Sequence, residues 1–129
     1  MNHVFVYGTL KRSGFNHRLL RDATYMGDAA VEGYSLTAGG GFPYAIPVEG
    51  GQARGEVYGV DGATMDRLDS LEGFPHHYTR DYIEAYVDGV GPIRAWIYIA
   101  AYDIQGRILQ EEWELVEEWK DGFARVTDA

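Results

Sequence analysis

The most informative stretch of this sequence is Val4-Phe5-Val6-Tyr7-Gly8-Thr9-Leu10. Its first four residues are β-branched or aromatic, which is typical of a strand, and Gly8 ends the run. Glycine lets the backbone turn tightly and lets a ligand approach it closely, and free N–H groups after a strand end can form a concave anion site. The stretch therefore predicts either a ligand-binding loop after a strand or an ordinary structural turn.

The composition narrows the class of protein. The chain has 129 residues with 46% hydrophobic and 14% aromatic content, which predicts one globular domain over residues 1–129. It carries 11 Lys and Arg against 20 Asp and Glu, a formal charge of −9. Such a charge repels nucleic acids and anionic membranes, so we expect neither as a partner. There is no Cys, no signal segment and no membrane-spanning apolar run, so we expect a cytoplasmic protein without disulfides or a thiolate nucleophile.

Strand patterns dominate the chain. The predicted strands are Asn2–Tyr7, Thr24–Thr37 (one or two strands), Gln52–Val60, Tyr78–Val87 and Ile93–Ala101. The last two are joined by a turn at residues 88–92, a loop is predicted at residues 38–43, and a basic helical segment is predicted around Asn16–Asp22.

Two further segments have helical patterns. The first is Asp61–Leu71, with a capping residue at Asp61 or Gly62 and Gly73 just past its end. The second is Leu109–Lys120, in which four apolar side chains share one face and five glutamates surround it. We interpret the acidic run as a solvated surface and both tryptophans of this segment, Trp113 and Trp119, as core residues.

Glu72 has an unusual place on the first helix. With about 100° per residue, and Met65 at zero, Leu68 falls near 300° and Glu72 near 340°, inside the apolar stripe. Burial there would raise the pKa of the Glu72 carboxyl and make it a usable base near neutrality. The alternative is a residue that turns out to solvent where Gly73 ends the helix. On the same wheel Asp66 points away from the stripe.

Three segments together resemble the γ-glutamyl cyclotransferase superfamily, closest to its γ-glutamylamine cyclotransferase-like, or AIG2-like, branch. They are Tyr7-Gly8-Thr9-Leu10, Gly41-Phe42-Pro43-Tyr44-Ala45-Ile46-Pro47 and Leu68-Asp69-Ser70-Leu71-Glu72-Gly73-Phe74-Pro75-His76-His77-Tyr78-Thr79-Arg80. Their order and spacing agree with the family's pattern, and the resemblance runs from about residue 2 to residue 101.

The resemblance implies an α+β fold, a compact mixed β-barrel with peripheral helices and a cavity near one end. It implies that the turn at Tyr7, Gly8, Thr9 and Leu10 holds the substrate with backbone amides, and that Glu72 is the catalytic acid/base. The implied reaction is attack of a γ-glutamyl α-amine on its own γ-carbonyl, which gives 5-oxoproline and a free amine. Such an intramolecular reaction needs no side-chain nucleophile, metal or cofactor.

The remaining candidates surround these elements. Tyr78 is expected to border the cavity, and Pro43 and Tyr44 its leaving-group side. Arg80 is interpreted as half of a structural ion pair, because a pair with Glu72 would lower the pKa of the proposed base. The adjacent histidines at positions 76 and 77 lack a third ligand in a recognisable spacing, so no metal site is predicted.

Two alternatives remain from the sequence. One is a related enzyme on the same scaffold, which acts on free γ-glutamyl amino acids or removes a γ-glutamyl group from a specialised metabolite. The other is a non-catalytic module that binds a small molecule, because a fold does not determine a function.

Overall fold

The computed structural model describes residues 1–39 and 42–120, which contain six strands, two α-helices and one 3-10 turn. The strands are β1 (Asn2–Val6), β2 (Thr24–Thr37), β3 (Ala45–Val60), β4 (Tyr78–Val87), β5 (Gly91–Ala100) and β6 (Leu115–Val116). The helices are α1 (Gly62–Glu72) and α2 (Tyr102–Gln110), and the 3-10 turn is His17–Leu20. Gly40 and Gly41 of the predicted loop, and residues 121–129 of the predicted domain, lie outside the described residues.

Strands β1 to β5 close into a barrel. Their order is β3-β1-β5-β4-β2, and β2 pairs back onto β3. β1 runs antiparallel to β3 and parallel to β5, whereas the other pairs in the ring are antiparallel. β6 adds to β2 outside the ring. The predicted fold, a mixed β-barrel with peripheral helices, is confirmed.

β1 is buried on both of its faces. Phe5 and Tyr7 point into the barrel interior, and Val4 and Val6 point outward, where they pack with Met65 of α1 and its neighbours. A strand covered on both sides carries a continuous apolar run rather than an alternating one. Because β5 lies parallel to β1, the carboxyl ends of both strands meet at one edge of the barrel.

α1 begins and ends where the sequence predicts. The Asp61 carboxylate accepts a hydrogen bond from the Thr64 N–H at 2.7 Å and caps the first turn. Gly73 is left-handed with φ 64° and ends the helix. Met65 and Leu68 are buried against the barrel, so the last turn of α1 is held beside the carboxyl end of β1.

The predicted helix over Leu109–Lys120 is wrong. The helix in this region is α2, and the chain then turns through Glu112, whose φ is 54°, into β6. Leu109 is 61% exposed, whereas Trp119 is 2% exposed and packs in the barrel core. β-Pairing to β2 and burial of Trp119 thus override the helical pattern. The prediction that Trp119 is a core residue is confirmed, and the five glutamates are exposed as predicted.

The boundaries of the other elements differ less from those predicted from the sequence. β3 begins at Ala45, seven residues before the predicted strand, because its first half pairs with the end of β2. Residues 24–37 form one strand, with irregular pairing at Tyr25–Gly27 and Glu32–Tyr34. Across residues 1–39 and 42–120, no helix is both long and apolar enough to cross a membrane.

Candidate active site

One cleft opens at the carboxyl ends of β1 and β5. Its cavity volume is about 30 Å³, and the empty space in and around it, which includes open solvent, is about 360 Å³. The lining residues are Phe5, Val6, Tyr7, Gly8, Thr9, Leu10, Phe42, Pro43, Glu72, Tyr78 and Tyr98. The structure thus places all seven predicted site residues of the catalytic and substrate-binding sets around a single cleft.

The turn after β1 presents three amides. The Lys11 N–H donates to the Gly8 carbonyl at 3.0 Å and closes the turn. Within the described part of the chain, the N–H groups of Gly8, Thr9 and Leu10 donate to no other group. Consecutive free amides of this kind can bind an anion or a developing oxyanion.

Asn16 holds the turn in place. Its backbone N–H donates to the Thr9 carbonyl at 3.0 Å, and its side-chain amide donates to the Thr9 hydroxyl at 2.9 Å. Asn16 is itself buried. The Thr9 hydroxyl therefore makes the structural turn contact, and its backbone N–H has no acceptor among the described residues.

Gly8 allows the two walls of the cleft to approach each other. A Cβ atom at position 8 would lie 2.7 Å from Cγ and 3.0 Å from Cδ of Pro43. Any larger residue would push the Pro43 loop and the β1 turn apart. The glycine of this motif is thus required by packing across the cleft.

Glu72 lies at the end of α1 with its carboxyl in the cleft, half-buried. Burial raises the pKa of this carboxyl to about 7, and no charge or hydrogen bond from the described residues offsets the effect. The sequence left two alternatives for Glu72, a carboxyl inside the apolar stripe or one turned out to solvent. The structure favours the first. A carboxyl with this pKa exchanges its proton readily near neutral pH.

Three tyrosines wall the cleft without hydrogen-bonding to Glu72. The Tyr7 hydroxyl donates to the Tyr98 carbonyl at 2.6 Å and accepts from the Ala45 N–H at 3.2 Å. The Tyr78 hydroxyl donates to the Pro43 carbonyl at 2.8 Å, which ties β4 to the cleft loop. Burial raises the pKa of Tyr7 and Tyr78, so both phenols stay neutral.

Arg80 forms the predicted ion pair, and its partner is Asp69. The Arg80 Nη2 and Asp69 Oδ2 atoms are 3.3 Å apart, and the guanidinium is stacked between the rings of Phe74 and Trp96. Asp69 also accepts a 2.6 Å hydrogen bond from the Tyr98 hydroxyl. Arg80 is thereby directed to Asp69 rather than to Glu72, which leaves the pKa of Glu72 high.

Tyr44 lies beside the cleft rather than in its lining. Its ring packs on Tyr78 with centroids 5.0 Å apart, and its hydroxyl is 2.9 Å from Nε2 of His77. His77 thus has an ordinary hydrogen-bond partner. Among residues 1–39 and 42–120, no group of three His, Cys, Asp or Glu side chains could hold a metal ion.

Sequence reasoning missed Tyr98 and Phe42. Tyr98 reaches the cleft because β5 pairs in parallel with β1, and a parallel pairing between distant segments leaves no local signal. Phe42 is 56% exposed and stands at the cleft mouth against Phe15. The signal available in the sequence was the position of Phe42 directly before Pro43, a predicted site residue.

Known proteins resemble the chain in both sequence and structure. The sequence model of the family described as "Gamma-glutamyl cyclotransferase, AIG2-like" matches residues 4–115. The gamma-glutamylcyclotransferase family protein YtfP of Escherichia coli is 32% identical over 108 residues, which is 84% of this chain and 90% of YtfP. The solution structure of the E. coli protein superposes with a TM-score of 0.63 at 31% identity, over 90% of this chain and 92% of that one. The crystal structure of an AIG2-like protein from Mus musculus superposes with a TM-score of 0.70 at 32% identity, over 78% of each chain.

Proposed function

Because the chain belongs to the AIG2-like γ-glutamyl cyclotransferase family, we propose that it converts a γ-glutamyl amide to 5-oxoproline and a free amine. The observation that carries the proposal is the position of Glu72. Its carboxyl, with a pKa of about 7, shares one cleft with the three free amides of the β1 turn. The branch we favour is the γ-glutamylamine one, from the Tyr7-Gly8-Thr9-Leu10 motif.

Glu72 is proposed to move both protons of the reaction. Its carboxylate takes a proton from the substrate's α-ammonium group, and the free amine attacks the γ-carbonyl carbon to close a five-membered ring. The bond from that carbon to the leaving nitrogen then breaks, the carbonyl re-forms, and the leaving nitrogen takes the proton back from Glu72. The Glu72 carboxylate then accepts the second proton from the ring nitrogen, which becomes the lactam N–H, and passes it to the released amine or to water. Attack within one molecule gains from proximity, so no enzyme nucleophile is needed.

The amides of Gly8, Thr9 and Leu10 are proposed to hold the negative charge. The substrate carries an α-carboxylate, and its carbonyl oxygen becomes an oxyanion as the ring closes. Fixed N–H donors stabilise such charge without reorganising during the reaction. The neutral phenols of Tyr7 and Tyr78 support this assignment because they add no negative charge to the cleft.

The test is release of 5-oxoproline from γ-glutamyl-ε-lysine, γ-glutamyl amino acids and γ-glutamyl alkylamines. Glu72→Gln keeps the shape of the side chain but removes the proton acceptor, so turnover should fall by about 10²- to 10⁴-fold. Asp66→Asn is the matched control, because Asp66 lies on the same helix and is exposed, and it should keep wild-type turnover.

Two results would contradict the proposal. Near-native turnover by Glu72→Gln would remove Glu72 from the proton transfers. If the folded wild-type protein releases 5-oxoproline from no compound of the panel but is stabilised by 5-oxoproline in a thermal shift assay, the binding module is the better description.

A further inference from the structure

Glu56 is a buried acid to which the proposed mechanism assigns no part. It belongs to β3, and its side chain is 10% exposed. A buried carboxylate needs partners, because its removal from water costs free energy that hydrogen bonds or an opposite charge must offset. The partners of Glu56 are the phenol of Tyr58 and two groups of Arg12, a residue just past the β1 turn.

Strand pairing puts Glu56 beside the start of that turn. Glu56 is opposite Val6, the last residue of β1, so both side chains lie on the outer face of the barrel. The two strands approach each other closely here, because a Cβ atom at Gly55 would overlap the Val6 carbonyl oxygen. The backbone of Glu56 is therefore fixed against the end of β1.

The Glu56 carboxylate binds the backbone of Arg12. Its Oε1 atom accepts from the Arg12 N–H at 3.0 Å and from the Tyr58 hydroxyl at 3.0 Å. Its Oε2 atom accepts from Arg12 Nε at 3.3 Å. A hydrogen bond from a main-chain N–H to a charged acceptor is stronger than one between neutral groups. It also fixes the path of the chain, and not only the position of one side chain.

Arg12 is bound through its side chain as well. On β2, Asp28 is opposite Glu56, and like charges directly opposite one another destabilise a sheet. The Arg12 guanidinium offsets both charges, since its Nη2 atom lies 3.0 Å from Asp28 Oδ1 while its Nε atom donates to Glu56. It also covers the ring of Tyr25 at 4.5 Å. The two strands therefore hold Arg12 by its main chain and by its side chain.

The contact with Glu56 attaches the turn to the barrel. The hydrogen bonds that close the turn and hold Thr9 have both partners within residues 8–16. They set the shape of this segment but not its position on the strands, whereas the Arg12 N–H donates directly to a strand residue. The bond from Lys11 Nζ to the Trp119 carbonyl also reaches the barrel, but through a long and flexible side chain.

On these grounds, and resting on the proposed cyclotransferase function, we infer that Glu56 is a positioning residue for the reaction. By holding the backbone at Arg12, it keeps the three free amides of the β1 turn fixed at the cleft. Preorganised donors stabilise a developing oxyanion without moving. A loosened turn should therefore cost more in the transition state than in the binding of substrate.

The kinetic test compares Glu56→Met with Tyr58→Phe. Both variants remove a hydrogen bond at the same carboxylate, but only the first removes the acceptor of the Arg12 N–H while it keeps the length of the side chain. On a γ-glutamyl amide that the wild type turns over, Glu56→Met should lower kcat at least about tenfold and change KM less than about threefold. Its kcat should keep the wild-type dependence on pH, because Glu72 is unchanged. Tyr58→Phe should stay within about twofold of the wild type.

Hydrogen exchange followed by NMR tests the same contact without turnover. In the wild type, the Arg12 amide should exchange at least about tenfold more slowly than that of Ser13, after correction for local sequence. Ser13 is the internal control because it is also exposed and its N–H has no acceptor among the described residues. Glu56→Met should abolish the protection of Arg12 and increase the motion of the three turn amides in ¹⁵N relaxation. Tyr58→Phe should do neither.

The outcomes separate the two proposals. Equal exchange at Arg12 and Ser13 in the wild type, wild-type kcat in Glu56→Met, or equal losses of kcat in Glu56→Met and Tyr58→Phe would each overturn the role of Glu56 and leave the cyclotransferase proposal standing. If the wild type releases no 5-oxoproline from any compound of the panel, but Arg12 is protected and Glu56→Met loosens the turn, the reaction is overturned and Glu56 is supported as the residue that positions the turn.

Discussion

At the scale of single residues, Glu72 is an acid that the fold buries without a counter-charge. The nearby cation, Arg80, is held by Asp69 and by two aromatic rings. The nearby phenol of Tyr78 donates its proton to a backbone carbonyl. The raised pKa of Glu72 therefore comes from its burial, and no partner among the described residues offsets that effect.

This arrangement has a cost in stability that depends on pH. The folded-state pKa of Glu72 is about 7 against an ordinary value of 4.5, so the folded protein favours the protonated form. Below pH 4.5 the carboxyl is protonated in both states and the penalty is absent. As the pH rises from 4.5 through 7, the free energy of unfolding falls by up to about 3 kcal/mol.

Glu72→Gln removes that ionisable group. We expect the variant to match the wild type at pH 4.5 and to be more stable at pH 8, by about 2–3 kcal/mol. Urea unfolding at several pH values measures the difference, with Asp66→Asn as the control. If the free energies of unfolding of Glu72→Gln and the wild type differed by the same amount at all pH values, the pKa of Glu72 would not be raised in the folded protein.

The position of Glu72 could be predicted from the helical wheel, since Met65 and Leu68 define the stripe in which it lies. The partner of Arg80 could not be predicted. Asp69 and Glu72 both lie in the last part of α1, and the choice between them depends on how the helix is rotated against β4. That rotation is set by packing between distant segments.

At the scale of elements, the cleft depends on two short segments that touch. The β1 turn and the Pro43 loop meet at Gly8, where a Cβ would lie 2.7 Å from Pro43. Tyr78 holds the Pro43 loop from the other side through its 2.8 Å hydrogen bond. The Pro43 loop is thus held between the backbone of Gly8 and the hydroxyl of Tyr78.

Gly8→Ala should push the β1 turn and the Pro43 loop apart. We expect a loss of stability of about 1–3 kcal/mol, typical of overpacking, and at least a tenfold fall in kcat/KM, because the turn amides move with the backbone. Gly62→Ala is the matched control, since no described atom lies within 4 Å of a Cβ at that position. Full activity in Gly8→Ala would show that the Pro43 loop yields without moving the turn.

The elements differ in how well local sequence predicts them. β4 begins and ends at the predicted residues because its alternating pattern is bounded by turns on both sides. α2 was missed because Gly106 interrupts it and only Ile108 is buried. The segment after it has a helical apolar spacing, but β6 and Trp119 are placed by contacts with β2 and the barrel core, which no local pattern records.

At the scale of the whole molecule, the segment after α2 binds to the barrel at several points. The Glu114 carbonyl accepts from the Ala38 N–H at 3.0 Å and the Glu117 carbonyl from the Arg54 N–H at 2.7 Å. Lys11 Nζ donates to the Trp119 carbonyl at 2.8 Å. Trp119 itself packs in the same core cluster as Phe5 and Tyr7 of the cleft strand and its turn.

Trp119→Ala should therefore destabilise the whole barrel, by about 3–5 kcal/mol. Leu109→Ala is the informative comparison, because the helical pattern placed both residues on one face. Leu109 is 61% exposed, so its substitution should change the free energy of unfolding by less than about 0.5 kcal/mol. If chemical denaturation gave equal losses in the free energy of unfolding for the two variants, the interpretation of one helical face that holds both residues would be supported instead.

The closure of the barrel around β1 also predicts how amide hydrogens exchange with solvent. β1 is flanked by β3 and β5, and Val4 and Phe5 are fully buried, so the β1 amides that bond to β3 should exchange only when the molecule unfolds. The amides of Gly8, Thr9 and Leu10, a few peptide bonds further on, lack acceptors among the described residues and should exchange rapidly. A ligand bound at the turn would slow these three and leave β1 unchanged, so deuterium uptake would report occupancy of the cleft even when no product forms.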